Sequence, residues 1–415
     1  MGKTVAIVGA AALPVGKWQS PVGAELEVFE HEIVARLIVD AVRDAGVEKS
    51  DVDSLAFTLP RPYTQQKYFA TFMAAYLGLQ CSGAVSETLG NGMTGGLAFE
   101  NACNDILLGR SRVALAVGVN FESAASASDL MMSSMRAVGD VNFAATFGIS
   151  PIAWGAMDAV RYMHDTGTTR EQIAAVAVKN RFHASFNPLA QFRAPITLAD
   201  VMNKPPIVEP LGLLDLPPRS DGAACLVLAE EDAARALGKP YVRIRSRAFY
   251  HEGVHQVSEA PNDMTSFGAL QVAAASAYAE AGVSPADVDF AEVYAACSII
   301  ELLVSEALGL VPRGRGGIWA AEGRTTLGGS IPISTSGGLL SRGHPPYVTP
   351  LYSFVEALDQ LRGTAGDRQV CGAILGLTAA ELGNYNAALV HVLEGRGGPI
   401  RLNTKRATIS GSLPG

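Results

Sequence analysis

The sequence predicts an α/β protein built from two similar halves, each a mostly parallel sheet covered by helices. Three observations carry that prediction. Short apolar runs alternate with amphipathic helical segments along the chain, the pattern of parallel sheets buried on both faces. A segment near the N-terminus recurs later: residues 37–57 (LIVDAVRDAGVEKSDVDSLAF) match residues 273–293 (AAASAYAEAGVSPADVDFAEV) at a separation of 236 positions. Charged residues make up only 17% of the 415 while apolar ones make up 48%. Against about 25% charge in average soluble chains, this points to deep burial, a sizeable oligomer interface, or both.

Taken in order, VAIVG after the N-terminus reads as a buried strand. One Lys makes too thin a basic region for a signal peptide. Each copy of the repeat reads as an Ala-rich amphipathic helix stopped by Gly46 or Gly282, then a turn, then an apolar strand, SLAFTL or FAEVYA. The second parts of the halves also correspond. AVSETLGNGMTGG leads to a helix, LAFENACNDILLG, and a strand, VALAVGV; PISTSGGLLSRGHP leads to YSFVEALDQLRG and a strand, VCGAILGL. We therefore expect an N-terminal half over 1–240, with an inserted region over about 122–220, a C-terminal half over 241–400, and a tail, 401–415. Within the insertion, WGAMDAVRYMHDTG and REQIAAVAVKNRFHASF read as helices, and SDGAACLVLAEE returns as a buried strand.

Composition also removes function classes. High apolar content excludes disorder. No run reaches about 18 uninterrupted apolar residues, so no membrane span is expected. A net charge of −8 argues against general nucleic-acid binding, which needs a basic footprint. Five cysteines at 81, 103, 225, 297 and 371 show no CxxC spacing, so neither a disulfide framework nor a zinc site is expected. A cytoplasmic, reducing location follows. No G-x-G-x-x-G or Walker pattern is present, so nucleotide-cofactor readings are weak.

Two glycine-rich turns stand out. In Asn91-Gly92-Met93-Thr94-Gly95-Gly96, backbone N–H groups at a helix start can hold an anion or oxyanion, or the glycines can simply permit close packing. In Ser336-Gly337-Gly338-Leu339-Leu340-Ser341-Arg342-Gly343-His344-Pro345, a His between Gly and Pro has little packing work. It falls after a predicted strand, where α/β sheets place ligands. His31, His164, His183, His251, His255 and His391 are read as structural or solvated.

These segments together resemble the thiolase superfamily over most of residues 3–395, nearest to its sterol-carrier-protein branch. VAVKNRFHASFNPLAQFRAPIT, EPLGLLDLPPRSDGAACLVLAEE and the C-terminal GG…GHP carry the resemblance. It implies two βαβαβαββ halves in a layered αβαβα arrangement, an acyl-coenzyme A thioester substrate and a dimer. The chain departs from the family at the chemistry. Gly92 falls where a thiolase carries its nucleophilic Cys, the region TAAELGNYNAALV lacks the second reactive Cys, and Tyr294 takes the place of an active-site His in the motif EVYAACS. Without a thiolate, an acyl-cysteine intermediate cannot form.

In these departures the chain resembles lipid-transfer-protein aldolases, thiolase relatives that lack the Cys and cleave steroid side chains. They place tyrosine at this position and a second tyrosine where this chain has His344. The resemblance implies retro-aldol cleavage of a β-hydroxyacyl-CoA with a bulky hydrophobic acyl group. Tyr294 and His344 are the expected catalytic pair. Gly92, Thr94, Gly95 and Gly338 are the expected substrate or oxyanion positions, the missing Cys side chain leaving room for substrate. No bound cofactor or metal is expected, coenzyme A entering as part of the substrate. A separate zinc-ribbon/OB-fold partner forming a heterotetramer is the further expectation. A cysteine-independent acyltransferase and a non-catalytic scaffold are the alternatives.

Overall fold

A computed structural model describes residues 3–18, 30–59, 66–136, 141–142, 145–252, 264–381 and 386–397. The expected tail over 401–415, His255 and the stretch 382–385 lie outside them. The first half contributes β1 (Val5–Ala12), α1 (Glu30–Ala45), β2 (Ser54–Thr58), α2 (Phe69–Leu77), β3 (Val85–Thr88), α3 (Thr94–Leu107) and β4 (Val113–Asn120). An excursion then holds α4 (Ala127–Arg136), α5 (Pro151–Thr166), α6 (Arg170–Ser185), α7 (Leu198–Met202) and a small hairpin, β5 (Pro206–Val208) and β6 (Leu211–Gly212). The chain returns as β7 (Gly222–Glu230), followed by α8 (Glu231–Ala236). The second half runs β8 (Tyr241–His251), α9 (Gly268–Ala281), β9 (Phe290–Val293), α10 (Ser298–Ala307), α11 (Gly316–Ala321), α12 (Thr349–Arg362), β10 (Leu375–Glu381) and β11 (Ala387–Arg396).

The strands form one ladder in the order β3-β2-β4-β7-β1-β8-β11-β10-β9. It divides into two half-sheets of matching topology, joined by a short seam where Ala6 and Ile7 of β1 face Arg243 and Val242 of β8. In the first half β3, β2 and β4 run parallel, and in the second β9 and β10 do; each set is followed by two strands in antiparallel pairing, β7 and β1, and β11 and β8. Among the described residues the second half has no full counterpart of β3; a single parallel bridge from Ala291 to Ile333 stands in its place.

The 236-residue repeat is visible in the hydrogen bonding. Gly46 and Gly282 both take positive φ at the ends of α1 and α9, the left-handed C-cap that Gly adopts without strain. Asp51 and Asp287 each accept a backbone N–H three residues earlier, from Glu48 and Ser284, at 2.9 Å. Asp53 takes the amide of Arg112 at 2.7 Å, just before β4, while Asp289 takes those of Ile374 and Leu375 at 2.8 and 2.9 Å, opening β10. The same carboxylate thus anchors the same strand start twice. It also explains why the run VCGAILGL is only half strand. Val370–Ile374 make a turn with Gly372 at positive φ, and β10 starts at Leu375, where Asp289 caps it.

Strand periodicity distributes the apolar side chains among layers. Along β1, Val5 and Ile7 enter a central core with Phe99 of α3 and Leu351, Phe354 and Leu358 of α12, while Ala6 and Val8 enter an outer core with Val34, Leu37 and Ile38 of α1. A third core joins α9 and α10 to the opposite face of the second half-sheet, through Ala291, Leu377 and Val390. Helices α3 and α12 therefore lie between the half-sheets, and the other helices cover them outside. Phe99 and Phe354 stack at the centre with ring centroids 3.9 Å apart and planes 16° from parallel. Almost all of α12 is buried, which accounts for much of the low charge fraction.

Candidate active site

Four segments meet beyond the ends of β3, β9 and β10, the crevice where open α/β sheets bind ligands. The first is a short 3₁₀ turn, Asn91–Met93, leading from β3 into α3. Asn91 adopts φ +43°, and Thr94 fastens the turn by accepting from the Gly90 amide at 2.9 Å and donating to the Asn91 carbonyl at 2.6 Å. The second is Tyr294, one residue past β9, whose amide still pairs with the Ala379 carbonyl of β10 at 2.9 Å. The third is the Ser336–Pro345 loop with His344. The fourth is Glu381, which ends β10. Met93, Tyr294, Leu339, Ala380 and Leu389 pack into a small apolar floor beneath them.

Gly92 has no room for a side chain. A Cβ built there would lie 2.5 Å from the Glu381 carbonyl oxygen, 2.9 Å from Tyr294 Cζ and 3.1 Å from its hydroxyl. The space expected to be open for substrate is filled by the Tyr294 phenol. Gly92 and Tyr294 thus form a complementary pair, one residue giving up the volume that the other occupies.

The Tyr294 hydroxyl lies 3.3 Å from His344 Nε2, and the two rings meet edge to face. Both residues are buried. Thr349 Oγ1 lies 2.9 Å from the Pro345 carbonyl and 3.1 Å from His344 Nδ1. With the Thr349 proton on that carbonyl, Nδ1 carries the imidazole proton and Nε2 can accept from the Tyr294 hydroxyl. The main chain of His344 is held from both sides, its amide donating to Ser220 Oγ at 3.2 Å and its carbonyl accepting from the Ser220 amide at 3.1 Å. Beside Ser220, Arg219 grips Glu122 through two donors at 2.9 and 2.6 Å and reaches Ser134 of α4. Glu122 accepts from Asn120, whose side-chain oxygen holds the Tyr347 amide. The excursion is thereby tied to both flanks of His344.

Of the positions singled out in the sequence, Gly92, Tyr294 and His344 come together. The other three face elsewhere. Thr94 spends its hydroxyl on its own turn. A Cβ at Gly95 would meet the Tyr347 carbonyl at 2.9 Å and Leu351 at 3.2 Å, so this glycine lets α3 approach α12. Gly338, at φ +55°, faces Asn180 and Ser334. Thr349, Ser220 and Glu381 had no sequence signal that singled them out, although Thr349 lies only five residues beyond His344. Among the other histidines, His183 is buried and neutral. Burial and the Lys179 charge hold it down to about 3, with Nδ1 on the Ser334 carbonyl and Nε2 accepting from the Leu327 amide. His391 pairs with Glu100 at 2.8 Å. Cys297 is buried, its thiol pushed well up by desolvation, and Cys371 is on the surface. Among the described residues no cluster of His, Cys, Asp and Glu has the makings of a metal site, and no helix is long and apolar enough to cross a membrane.

A duplicated, five-layered α/β architecture with its site at the strand ends between the halves defines a thiolase-type fold. Residues 5–232 match the family model described as Thiolase, N-terminal domain, and residues 251–395 match Thiolase C-terminal domain-like. The chain belongs to the thiolase family. It is 33% identical to an acetyl-CoA acetyltransferase of Methanothermobacter thermautotrophicus, over 91% of this chain and 98% of that one. To a steroid side-chain-cleaving aldolase of Thermomonospora curvata it is 31% identical, over 81% and 86% of the two chains. Among solved structures, one described as Ltp2-ChsH2(DUF35) aldolase superposes with a TM-score of 0.77 at 27% identity, covering 94% of this chain and 97% of its own.

Proposed function

We propose that the protein is a carbon–carbon lyase that cleaves a β-hydroxyacyl-CoA by a retro-aldol reaction, with Tyr294 and His344 as its proton-transfer pair. The observation that carries this reading is the Tyr294 phenol seated in the space above Gly92 with its hydroxyl 3.3 Å from His344 Nε2. A thiolase-type acyl transfer needs a thiolate at the Gly92 position. Here that volume holds a group suited to moving protons.

The step balances as follows. His344 Nε2 takes the phenolic proton, and the resulting phenolate removes the proton of the substrate β-hydroxyl. The Cα–Cβ bond breaks as the β-carbon becomes a ketone or aldehyde, and the electron pair passes to Cα and the thioester oxygen as an enolate. The imidazolium then protonates Cα, releasing a shorter acyl-CoA and restoring both residues. The enolate oxygen needs hydrogen-bond donors in place beforehand. The Met93 and Thr94 amides are engaged by the Gly90 and Asn91 carbonyls, so the Gly92 amide is the donor we assign at this turn. Coenzyme A enters only as part of the substrate. A bulky hydrophobic acyl group, such as a steroid side chain, is favoured by the likeness to the Thermomonospora curvata aldolase. A separate partner subunit is favoured by the two-component name of the aldolase structure; the homodimer and the zinc-ribbon/OB-fold character of that partner in a heterotetramer rest on the family resemblance alone.

Acyl transfer is the second reading, favoured by the likeness to the acetyl-CoA acetyltransferase. Tyr294→Phe separates the two. It keeps the ring that packs on Gly92 and removes only the transferable proton, so cleavage should fall by about 10²–10⁴-fold with the fold intact. Near-normal turnover in this variant would overturn the assignment.

A further inference from the structure

Below the site, a chain of side chains runs from the His344 loop into α12, and its members are buried. Arg342 Nη1 donates to Ser336 Oγ at 3.0 Å, and Ser336 Oγ donates to Glu292 Oε2 at 2.7 Å. Glu292 Oε1 lies 3.1 Å from Thr335 Oγ1, which lies 2.9 Å from Glu356 Oε1. Glu356 in turn accepts from Arg368 Nε at 2.7 Å. Thr335 has one hydroxyl proton but touches two carboxyl groups. If both were ionised, one of those contacts would set a lone pair against a buried negative charge, which is costly at low dielectric.

We propose that Glu292 carries the missing proton at neutral pH, so that Glu292 donates to Thr335 and Thr335 to Glu356, and that this neutral carboxyl is a positioning residue for the loop bearing His344.

Charge counting gives the same answer. The groups facing Glu292 are Arg342 from the His344 loop and Glu356 from α12, with Arg368 and Asp359 one step beyond; the neutral phenol of Tyr352 lies against Arg342. Arg368 pairs with both Glu356 and Asp359. With Arg342 and Arg368 positive and Glu356 and Asp359 negative, the cluster is neutral only if Glu292 is uncharged. Arg362, the next cation along α12, is already paired with Asp44. Arg342 approaches Glu292 no closer than 3.5 Å, and its Nε and Nη2 have no partner among the described residues. An ionised carboxylate in this position would draw the guanidinium into a two-point contact. Burial and the Glu356 charge raise the Glu292 carboxyl to about 7, in keeping with the geometry. The Ser336 amide, 2.9 Å from Glu292 Oε1, couples this proton to the main chain eight residues before His344.

The proton count stands apart from the reaction proposed above, and only the effect on turnover rests on that reading. Infrared difference spectra of wild type and Glu292→Gln at pH 6 test the count. A protonated-carboxyl C=O stretch should be present in wild type, absent in the variant, and lost from wild type as the pH rises through about 7. Glu30, raised outside the cluster, cancels in the difference, and Asp359, raised to about 6 within it, loses its own band at lower pH than Glu292. Thr335→Val, which removes the accepting hydroxyl, should shift the band. Superimposable spectra, or a band unmoved in Thr335→Val, would overturn the proposal. The sign for stability follows from linkage: the folded state keeps a proton that the unfolded chain loses near 4.5, so the stability is full below 4.5 and lost as pH rises through about 7. Wild type should therefore lose thermal stability relative to Glu292→Gln between pH 5 and 8, whatever reaction is catalysed. The alkaline fall of kcat should move upward in the variant; identical profiles would refute the positioning role alone.

Discussion

Replacing Gly92 by alanine adds one methyl group at the point where the site is tightest. The new carbon would stand 2.9 Å from Tyr294 Cζ and 2.5 Å from the Glu381 carbonyl oxygen. Carbon atoms in contact prefer about 3.5–4.0 Å, so the phenol ring must retreat by roughly 0.6 Å or more. The carbonyl belongs to the end of β10 and yields less readily than a side chain. Overpacking of this kind costs about 1–3 kcal/mol. Displacement of the ring also disturbs the 3.3 Å contact with His344 Nε2, which already lies near the limit of hydrogen bonding. Gly92→Ala should therefore lower the melting temperature and depress retro-aldol turnover at least tenfold. Gly92→Cys should do the same without creating thiolytic activity. In a double-mutant cycle, Gly92→Ala should be less damaging in a Tyr294→Ala background, with a coupling of about 0.5–3 kcal/mol. Thermal denaturation and single-turnover cleavage read both effects. A Gly92→Ala protein with wild-type stability and turnover would refute the packing argument and the role built on it.

Other consequences follow from single contacts. Thr349→Val removes the acceptor for His344 Nδ1–H and frees the tautomer; we expect kcat to fall by about tenfold or more, from a lost buried hydrogen bond of about 1–3 kcal/mol, with little change in KM. Iodoacetamide at neutral pH should label exposed Cys371 without loss of activity, because buried Cys297 has its thiol pushed up; mass spectrometry of the labelled protein with a parallel activity assay checks this. Asp53→Ala and Asp289→Ala should each destabilise the protein by about 1–3 kcal/mol, and by similar amounts, since each frees the opening amides of an equivalent strand; denaturant titration compares them.

The duplicated plan was legible because each repeat unit is locally encoded. A helix-ending glycine, an aspartate cap and an apolar strand each declare themselves within a few residues, and the offset of 236 relates Gly46 to Gly282 and Asp53 to Asp289 alike. The strand VCGAILGL was drawn five residues too early because its start is set by Asp289, 85 residues before Ile374 in the chain. Gly92 and Tyr294 could be named from motif departures, and His344 from its Gly-His-Pro turn. The filled space between Gly92 and Tyr294 could not, since a missing side chain does not reveal what packs into its volume. Thr349 and Ser220 escaped for a related reason. A hydroxyl that fixes a tautomer or clamps a loop has no periodicity or spacing to mark it, and Ser220 lies 124 residues from His344.

The most direct test of the account offers the purified protein two substrates of the same acyl skeleton, a β-hydroxyacyl-CoA alone and a β-ketoacyl-CoA with free coenzyme A. Release of a ketone or aldehyde with a shorter acyl-CoA from the first, and no thiolysis of the second, is the predicted result. Thiolysis of the β-ketoacyl-CoA with no cleavage of the β-hydroxyacyl-CoA would contradict it.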